Sequence, residues 1–437
     1  MPISFSLQRL WATLGPGLLY AGAAVGVSHL VMSTKAGAKY EFLLLLLIPL
    51  IHLIKYPFYK FGPYYTALTG RNILHGYYAL GKWALALYMA MTLLSMCLIQ
   101  AAVTLVTSSI AVTLFGVHLP AEYMPHIPAI LLLIGAGIIL YIGQYSLLSK
   151  MMKGVIIILA ITTLASLALV WFEGTVPINK VAPNFSWLNV TDLLFLAAFL
   201  GWMPAPMDVS VWHSVWAEEA NHETHQQADV QKTMLDFNIG FFGTAILAMV
   251  FLSLGALVMF GNGAEPSNNG AVFAGQIIQL YTEVLGDCAY PLIGIVALAT
   301  MFSTALTCLD AYPRTLEKSY FIWKQQGQMP SIQNEQENKQ KATRLYRLLL
   351  VLAVIGTIAV LFVIKNLSGA MGYIVMVATI VSFVSAPVLA YINFKVMQGT
   401  TIPTNHKPRL LLTLWSWIGI IIMSLFSLAY IILLIKF

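Results

Sequence analysis

Charge is what this chain has least of. Only 9% of its 437 residues are Asp, Glu, Lys or Arg, against about 25% in a soluble domain. With 59% hydrophobic residues, that scarcity excludes a water-soluble globular domain and leaves a polytopic membrane protein. Cysteine is nearly absent. Cys97, Cys288 and Cys308 show no ligand spacing and cannot build a disulfide framework; Cys97 and Cys308, in apolar segments, read as packed, inert thiols. No cleavable leader is expected either: the apolar stretch from Trp11 runs past Leu30 with no small-residue cleavage site, so it reads as a retained span. The net charge of +6 does not imply a nucleic-acid partner, because the positive residues follow membrane topology. Lipid is the implied neighbour.

Apolar stretches of about 20 residues number eleven, over residues 12–36, 42–66, 83–115, 126–147, 152–172, 190–217, 233–260, 287–313, 343–364, 368–394 and 410–435. With the N-terminus inside, 18 Lys and Arg fall on the inner side and 5 on the outer. The positive-inside rule then puts the N-terminus in the cytoplasm and the C-terminus outside, in what reads as a bacterial inner membrane. His52 and Lys55 read as interfacial, near the inner end of segment two, and Lys35 as snorkelling outward. The polar stretch Gln325–Lys341 reads as a flexible cytoplasmic linker, and 261–286 as the longest external loop.

Two segments break the apolar pattern. Segment six carries Gly201-Trp202-Met203-Pro204-Ala205-Pro206-Met207-Asp208. Proline removes a backbone donor and clashes with the preceding turn, and an Asp at mid-membrane costs about 2.5–3.5 kcal/mol on an insertion scale. Non-helical backbone at that depth survives only where protein or a water-filled cavity surrounds it. Segment one opens with Gly15-Pro16-Gly17 and holds Gly26-Val27-Ser28-His29 at its centre. Each segment begins a set of five, and an odd repeat forces inverted topology. Paired interruptions at matching positions of two halves point to a transporter's binding site. The chain reads as one transmembrane domain, with a first five-helix repeat at 1–172, an inverted repeat at 190–394 and an additional helix at 410–435.

Asp208 suits a hard cation such as Mg2+ or Mn2+, or it caps the second half-helix. Ser28 has the same two readings. His29 reads as a ligand, a proton carrier or a satisfied core histidine; its ordinary pKa near 6.5 suits proton coupling. Met207 is a soft ligand or core packing. Carbonyls freed near Ala23, Ala24, Pro204 and Ala205 can bind a cation with no special side chain. His222-Glu223-Thr224-His225 reads as a solvated loop, since its two histidines are three apart, not four. Asp310 and Arg314, four apart, can pair across one helical turn and read as an inner-gate or structural pair.

At Gly15-Pro16-Gly17-Leu18-Leu19, Ala36-Gly37-Ala38-Lys39-Tyr40, Leu68-Thr69-Gly70-Arg71 and the proline-containing centre of segment six, the chain resembles the Nramp family of divalent-metal transporters, within the LeuT-type superfold. The resemblance implies an all-α integral membrane protein of about eleven transmembrane helices, an inverted five-plus-five repeat and discontinuous helices one and six. It also implies secondary active symport of an ion such as Mn2+, Mg2+ or Fe2+, with no cofactor. Several positions depart from the family pattern. The family's Asp-Pro-Gly-Asn motif places Gly26 and His29 where the family has its metal-binding Asp and Asn. One alignment of segment six puts Ala205 at the family's metal-binding Met; the other puts Asp208 at its His. Segment three has no carboxylate in Cys97-Leu98-Ile99-Gln100-Ala101-Ala102, and Ser385 stands at the tenth-segment Gln. The implied substrate and metal site is therefore Asp208, Met207, Ser28 and His29, with Gly26, Ala205 and Ser385 around it. A rival reading keeps the fold and carries an anion or small organic solute. A third, a membrane-embedded enzyme or sensor using His29, Asp208 and His213, lacks any nucleophile–base–orienter pattern.

Overall fold

A computed structural model describes residues 15–117, 120, 126–173, 185–224, 227, 229–260, 290–328, 335–364 and 370–436, with isolated positions between 261 and 289. Among these residues the fold is helical without strands. The elements are α1 (Pro16–Ala24), a wide turn at Val27–Ser33, α2 (Thr34–Tyr40), α3 (Leu47–Thr69), α4 (Ile73–Leu80), α5 (Lys82–Phe115), α6 (His126–Glu173), α7 (Val190–Trp202), α8 (Val209–Thr224), α9 (Val230–Leu254), α10 (Tyr290–Lys324), α11 (Glu335–Ile364), α12 (Ala370–Gln398) and α13 (Leu410–Lys436). Nine described stretches are long and apolar enough to cross a membrane, two of them, His126–Gly143 and Met151–Phe172, within α6. The two other expected spans fall short for visible reasons. The α3 helix carries Lys55 and Lys60 inside its length, and segment six is split into α7 and α8.

The lysine in α3 corrects the sequence reading. Helix α3 starts at Leu47, so Lys55 lies about 12 Å along it at 1.5 Å per residue. Lys55 is 1% exposed and His52 2%. Neither is interfacial, and without Lys55 the expected inner side counts seventeen positive residues to five. The expected linker is corrected in part. Residues 329–334 lie outside the described residues, but α11 begins at Glu335. The run Glu335–Lys341 is rich in Glu, Gln and Lys, which favour helix, and Glu337 pairs with Lys341 at 2.6 Å, one turn on. His222 and Glu223 form the exposed last turn of α8 rather than a loop. Cys288, His225 and most of 261–286 lie outside the described residues. Of the other cysteines, Cys308 is buried and Cys97 half-buried, both free.

Spans one and seven cross at backbone distance. Gly37 faces the Leu252 carbonyl and Gly255 faces the Thr34 carbonyl, so a methyl at either would overlap backbone. Small residues permit such crossings. Asp236 of α9 accepts from the Gly15 and Gly17 amides at 3.1 and 2.7 Å, satisfying donors that every helix start leaves free. At the far end of span one, Tyr40 and Lys39 donate to Asp192 at the start of α7, at 2.7 and 3.0 Å. Span one is thereby fastened at both ends to elements on which the rest of the bundle packs.

This crossing makes a stability prediction. Gly37→Ala should lower thermal stability in detergent by about 1–3 kcal/mol through forced separation of the helices. Gly243→Ala, on the same α9 but with open space around its Cα, should be neutral or slightly stabilising.

Candidate functional site

Both expected breaks are present. Helix α1 ends at Ala24, and Val25 (φ −80°, ψ 71°) and Gly26 (φ −132°, ψ −123°) leave the helical region before the chain turns again at Val27. In segment six, helix stops at Trp202 and resumes at Val209. Hydrogen-bonding side chains from neighbouring helices take the freed carbonyls. Thr304 of α10 donates to the Gly22 carbonyl at 2.9 Å. Lys55 Nζ donates to the carbonyls of Leu200, Gly201 and Met203 at 2.9, 3.0 and 2.7 Å. Tyr59, one turn further along α3, donates to the Ala205 carbonyl and, at 3.1 Å, to that of Pro206.

Ser28 joins the two breaks. Its Oγ lies 2.7 Å from the Ala24 carbonyl and 3.4 Å from that of Pro204. It also lies 2.7 Å from His29 Nδ1. With the hydroxyl proton on the Ala24 oxygen, His29 Nδ1–H donates to Ser28 Oγ. His29 is fully buried, and its Nε2 points toward the Thr244 backbone without completing a hydrogen bond. His52 lies within its electrostatic range.

Asp208 stands immediately before α8 and is 6% exposed. Its carboxylate accepts only from its own backbone amide among the described residues, and no Lys, Arg or His pairs with it there. Helix α8 starts instead on the Asp208 carbonyl, which accepts from the Val211 and Trp212 amides at 2.9 and 3.0 Å. Tyr59, Tyr77, Tyr88 and Tyr312, with the Cys308 thiol, lie within the electrostatic range of the carboxylate. Of these, Tyr88 and Tyr312 are buried with their hydroxyls near other polar side chains, Thr92 and Thr315 for Tyr88 and Ser95 for Tyr312.

The remaining candidates take different places. Gly26 packs on Thr304, whose Cγ2 would lie 2.6 Å from an added Cβ. The Ala205 carbonyl is held by Tyr59, Met207 is 1% exposed, and Ser385 Oγ donates back to Ser382 in its own helix at 3.0 Å. His213 stacks on Tyr20 at 5.6 Å, within an aromatic core that includes Phe237. The sequence reading missed several groups besides Lys55, Asn393 and Ser210 among them. Asn393 of α12 donates to Ser210 Oγ at 2.8 Å and accepts from Tyr77 at 2.6 Å, bracing the first turn of α8. Ser210 in turn donates to the Met207 carbonyl at 2.7 Å. The available signal was an amide flanked by apolar residues, Ile392-Asn393-Phe394, near the end of α12. No group of three His, Cys, Asp or Glu side chains is poised to hold a metal among the described residues.

The expected Asp310–Arg314 pair forms, bidentate, at 2.6 and 2.9 Å. Tyr346 of α11 and Trp216 of α8 donate to the same carboxylate at 2.8 and 3.2 Å. Arg314 also reaches Glu219 at 3.7 Å, and Lys318 bridges Glu218 and Glu219 at 3.3 and 2.8 Å. This network ties α8, α10 and α11 together beside a cavity of about 600 Å3. His75 of α4, outside the spanning segments, lines that cavity. Burial pushes its pKa down to about 4, against the pull of Glu218.

Comparison with known proteins follows the same lines. A family model described as natural resistance-associated macrophage protein-like, Nramp, matches residues 17–433. An uncharacterised protein of Pasteurella multocida (strain Pm70) is 34% identical over 427 residues, covering 96% of this chain and 92% of the relative. Among solved structures, a mutant of the Eremococcus coleocola manganese transporter is similar with a TM-score of 0.72 at 14% identity, over 98% of this chain and 88% of that one. MhsT in complex with L-phenylalanine is similar with a TM-score of 0.56 at 16% identity, over 96% and 98%. At these identities the structures share the fold, the LeuT-type arrangement.

Two predictions come from the charged network. Asp310→Asn leaves Arg314 without its main buried partner and should cost about 3–5 kcal/mol, read as a lower unfolding temperature in detergent. His75 is neutral when folded and titrates near 6.5 when unfolded, so its contribution is complete above pH 6.5 and is lost as pH falls toward about 4. His75→Gln should flatten the stability profile in that window.

Proposed function

Because this chain belongs to the Nramp family, whose fold it shares with a manganese transporter, we propose that it is a secondary active transporter of a divalent cation bound at Asp208. The carrying observation is the Asp208 carboxylate: buried at the break, within electrostatic range of four tyrosines, and without a cationic partner among the described residues. A buried carboxylate is costly unless paired or bound to a metal, and a cation arriving as substrate supplies the missing charge. Carboxylate and phenol oxygens are hard donors, which favours Mg2+ or Mn2+ over a thiophilic ion. Ser28 adds a hydroxyl where the two breaks meet. Gly26 and Ala205 offer no side-chain ligand, so the ion keeps part of its water shell. In this reading the chain sits in a bacterial inner membrane with its N-terminus in the cytoplasm, and the Asp310–Arg314 network closes the inner side. Access alternates as the broken helices rock against their scaffold.

One observation favours the rival reading of an anion or small organic solute: the fixed positive charge at the crossing belongs to Lys55. Calorimetric titration with Mn2+ and Mg2+ separates the two, since an anion carrier binds neither. In proteoliposomes, Asp208→Asn should reduce Mn2+ or Mg2+ uptake about tenfold or more, while Ser28→Ala should have a smaller effect. Uptake by the Asp208 variant equal to wild type removes that carboxylate from the site.

A further inference from the structure

Lys55 is buried in the middle of α3 with no carboxylate beside it among the described residues. Its Nζ meets three backbone carbonyls, those of Leu200, Gly201 and Met203, at 2.7–3.0 Å. An ammonium has three donors and no acceptor, so every N–H is matched to one oxygen. A neutral amine would turn a lone pair toward one of them. The three oxygens belong to the end of α7 and the first residue of the break, where unpaired carbonyls concentrate the negative pole of the helix. The site is therefore a cradle for one positive charge, built from backbone, with a side chain filling it.

We propose that Lys55 is a tethered cation occupying a carbonyl-lined monovalent-cation site at the end of α7. The ammonium holds the break open without any ion from solution. Transport by this chain then proceeds with equal rate in sodium, potassium or choline media, and the end of α7 is closed to a second metal ion by charge repulsion. Deleting the ammonium while leaving the carbonyls turns a structural contact into a vacant ion site. Potassium and small alkylammonium ions resemble –NH3+ in radius and should fill it better than sodium. This inference is independent of what Asp208 binds, since it concerns other atoms and a different readout.

The test is thermal unfolding of the purified full chain in detergent. Wild type, Lys55→Ala and Lys55→Met are compared in choline, sodium, potassium and n-propylammonium chloride at equal ionic strength. Both variants should unfold several degrees below wild type in choline. Potassium should restore at least half of the lost temperature in either variant, saturably, and propylammonium should do so for the alanine variant, where the removed side chain leaves room. Wild type should not respond. Folded variants that ignore every cation, or a wild type that shifts as far as they do, overturn the proposal. Lys55→Gln keeps part of the hydrogen bonding without the charge and guards against simple collapse. Should all three variants fail to fold even when purified in potassium or propylammonium, the cradle does not accept a free cation and the proposal falls.

Discussion

Backbone oxygens released inside the bilayer need donors, and the bilayer core provides none. That constraint organises this structure. Two apolar segments unwind partway along, and hydroxyls and an ammonium take the freed carbonyls, most of them from neighbouring helices. Thr304 serves the first break, Lys55 and Tyr59 the second, and Ser28 lies between them. The breaks persist because these donors are fixed on intact helices. With the carbonyls occupied, the Asp208 carboxylate remains the strongest uncompensated charge at the crossing.

The breaks were legible in the sequence because their causes are local. Proline, glycine and aspartate within an apolar run disfavour helix wherever they occur, and Gly26 and Pro204 do so here. The Asp310–Arg314 pair was legible for the same reason, since four residues on a helix fix the geometry. Lys55 was not. A lysine in the half of a segment nearer its basic end reads as interfacial, and nothing around it shows that its acceptors lie 145 residues away in sequence. His29 shows a second limit. Its place in the segment put it at the centre, but the wide turn at Val27–Ser33 decides which way it faces, and the ring lies toward His52 and Thr244. Ser385, which the resemblance aligns with the family's Gln, bonds its own helix, because a short hydroxyl reaches its own preceding turn more readily than a neighbouring helix.

The donors also indicate which helices travel together. Helix α3 grips segment six through Lys55 and Tyr59. Helix α9 grips span one through Asp236 and through close contact at Gly37 and Gly255. Those four spans form one body held by buried polar bonds and backbone contact. The α8–α10–α11 contact is different in kind, a set of ion pairs beside a large cavity, with its Asp310–Arg314 pair itself buried.

The burial of Lys55 also bears on how the chain is made. A lone α3 helix presented to lipid carries an ammonium at a depth costing about 2.5–3.5 kcal/mol on an insertion scale. The oxygens that relieve this cost belong to residues synthesised about 145 positions later. Until segment six is made, an isolated α3 carries that cost unrelieved, so this one side chain links the stability of an early span to a late one.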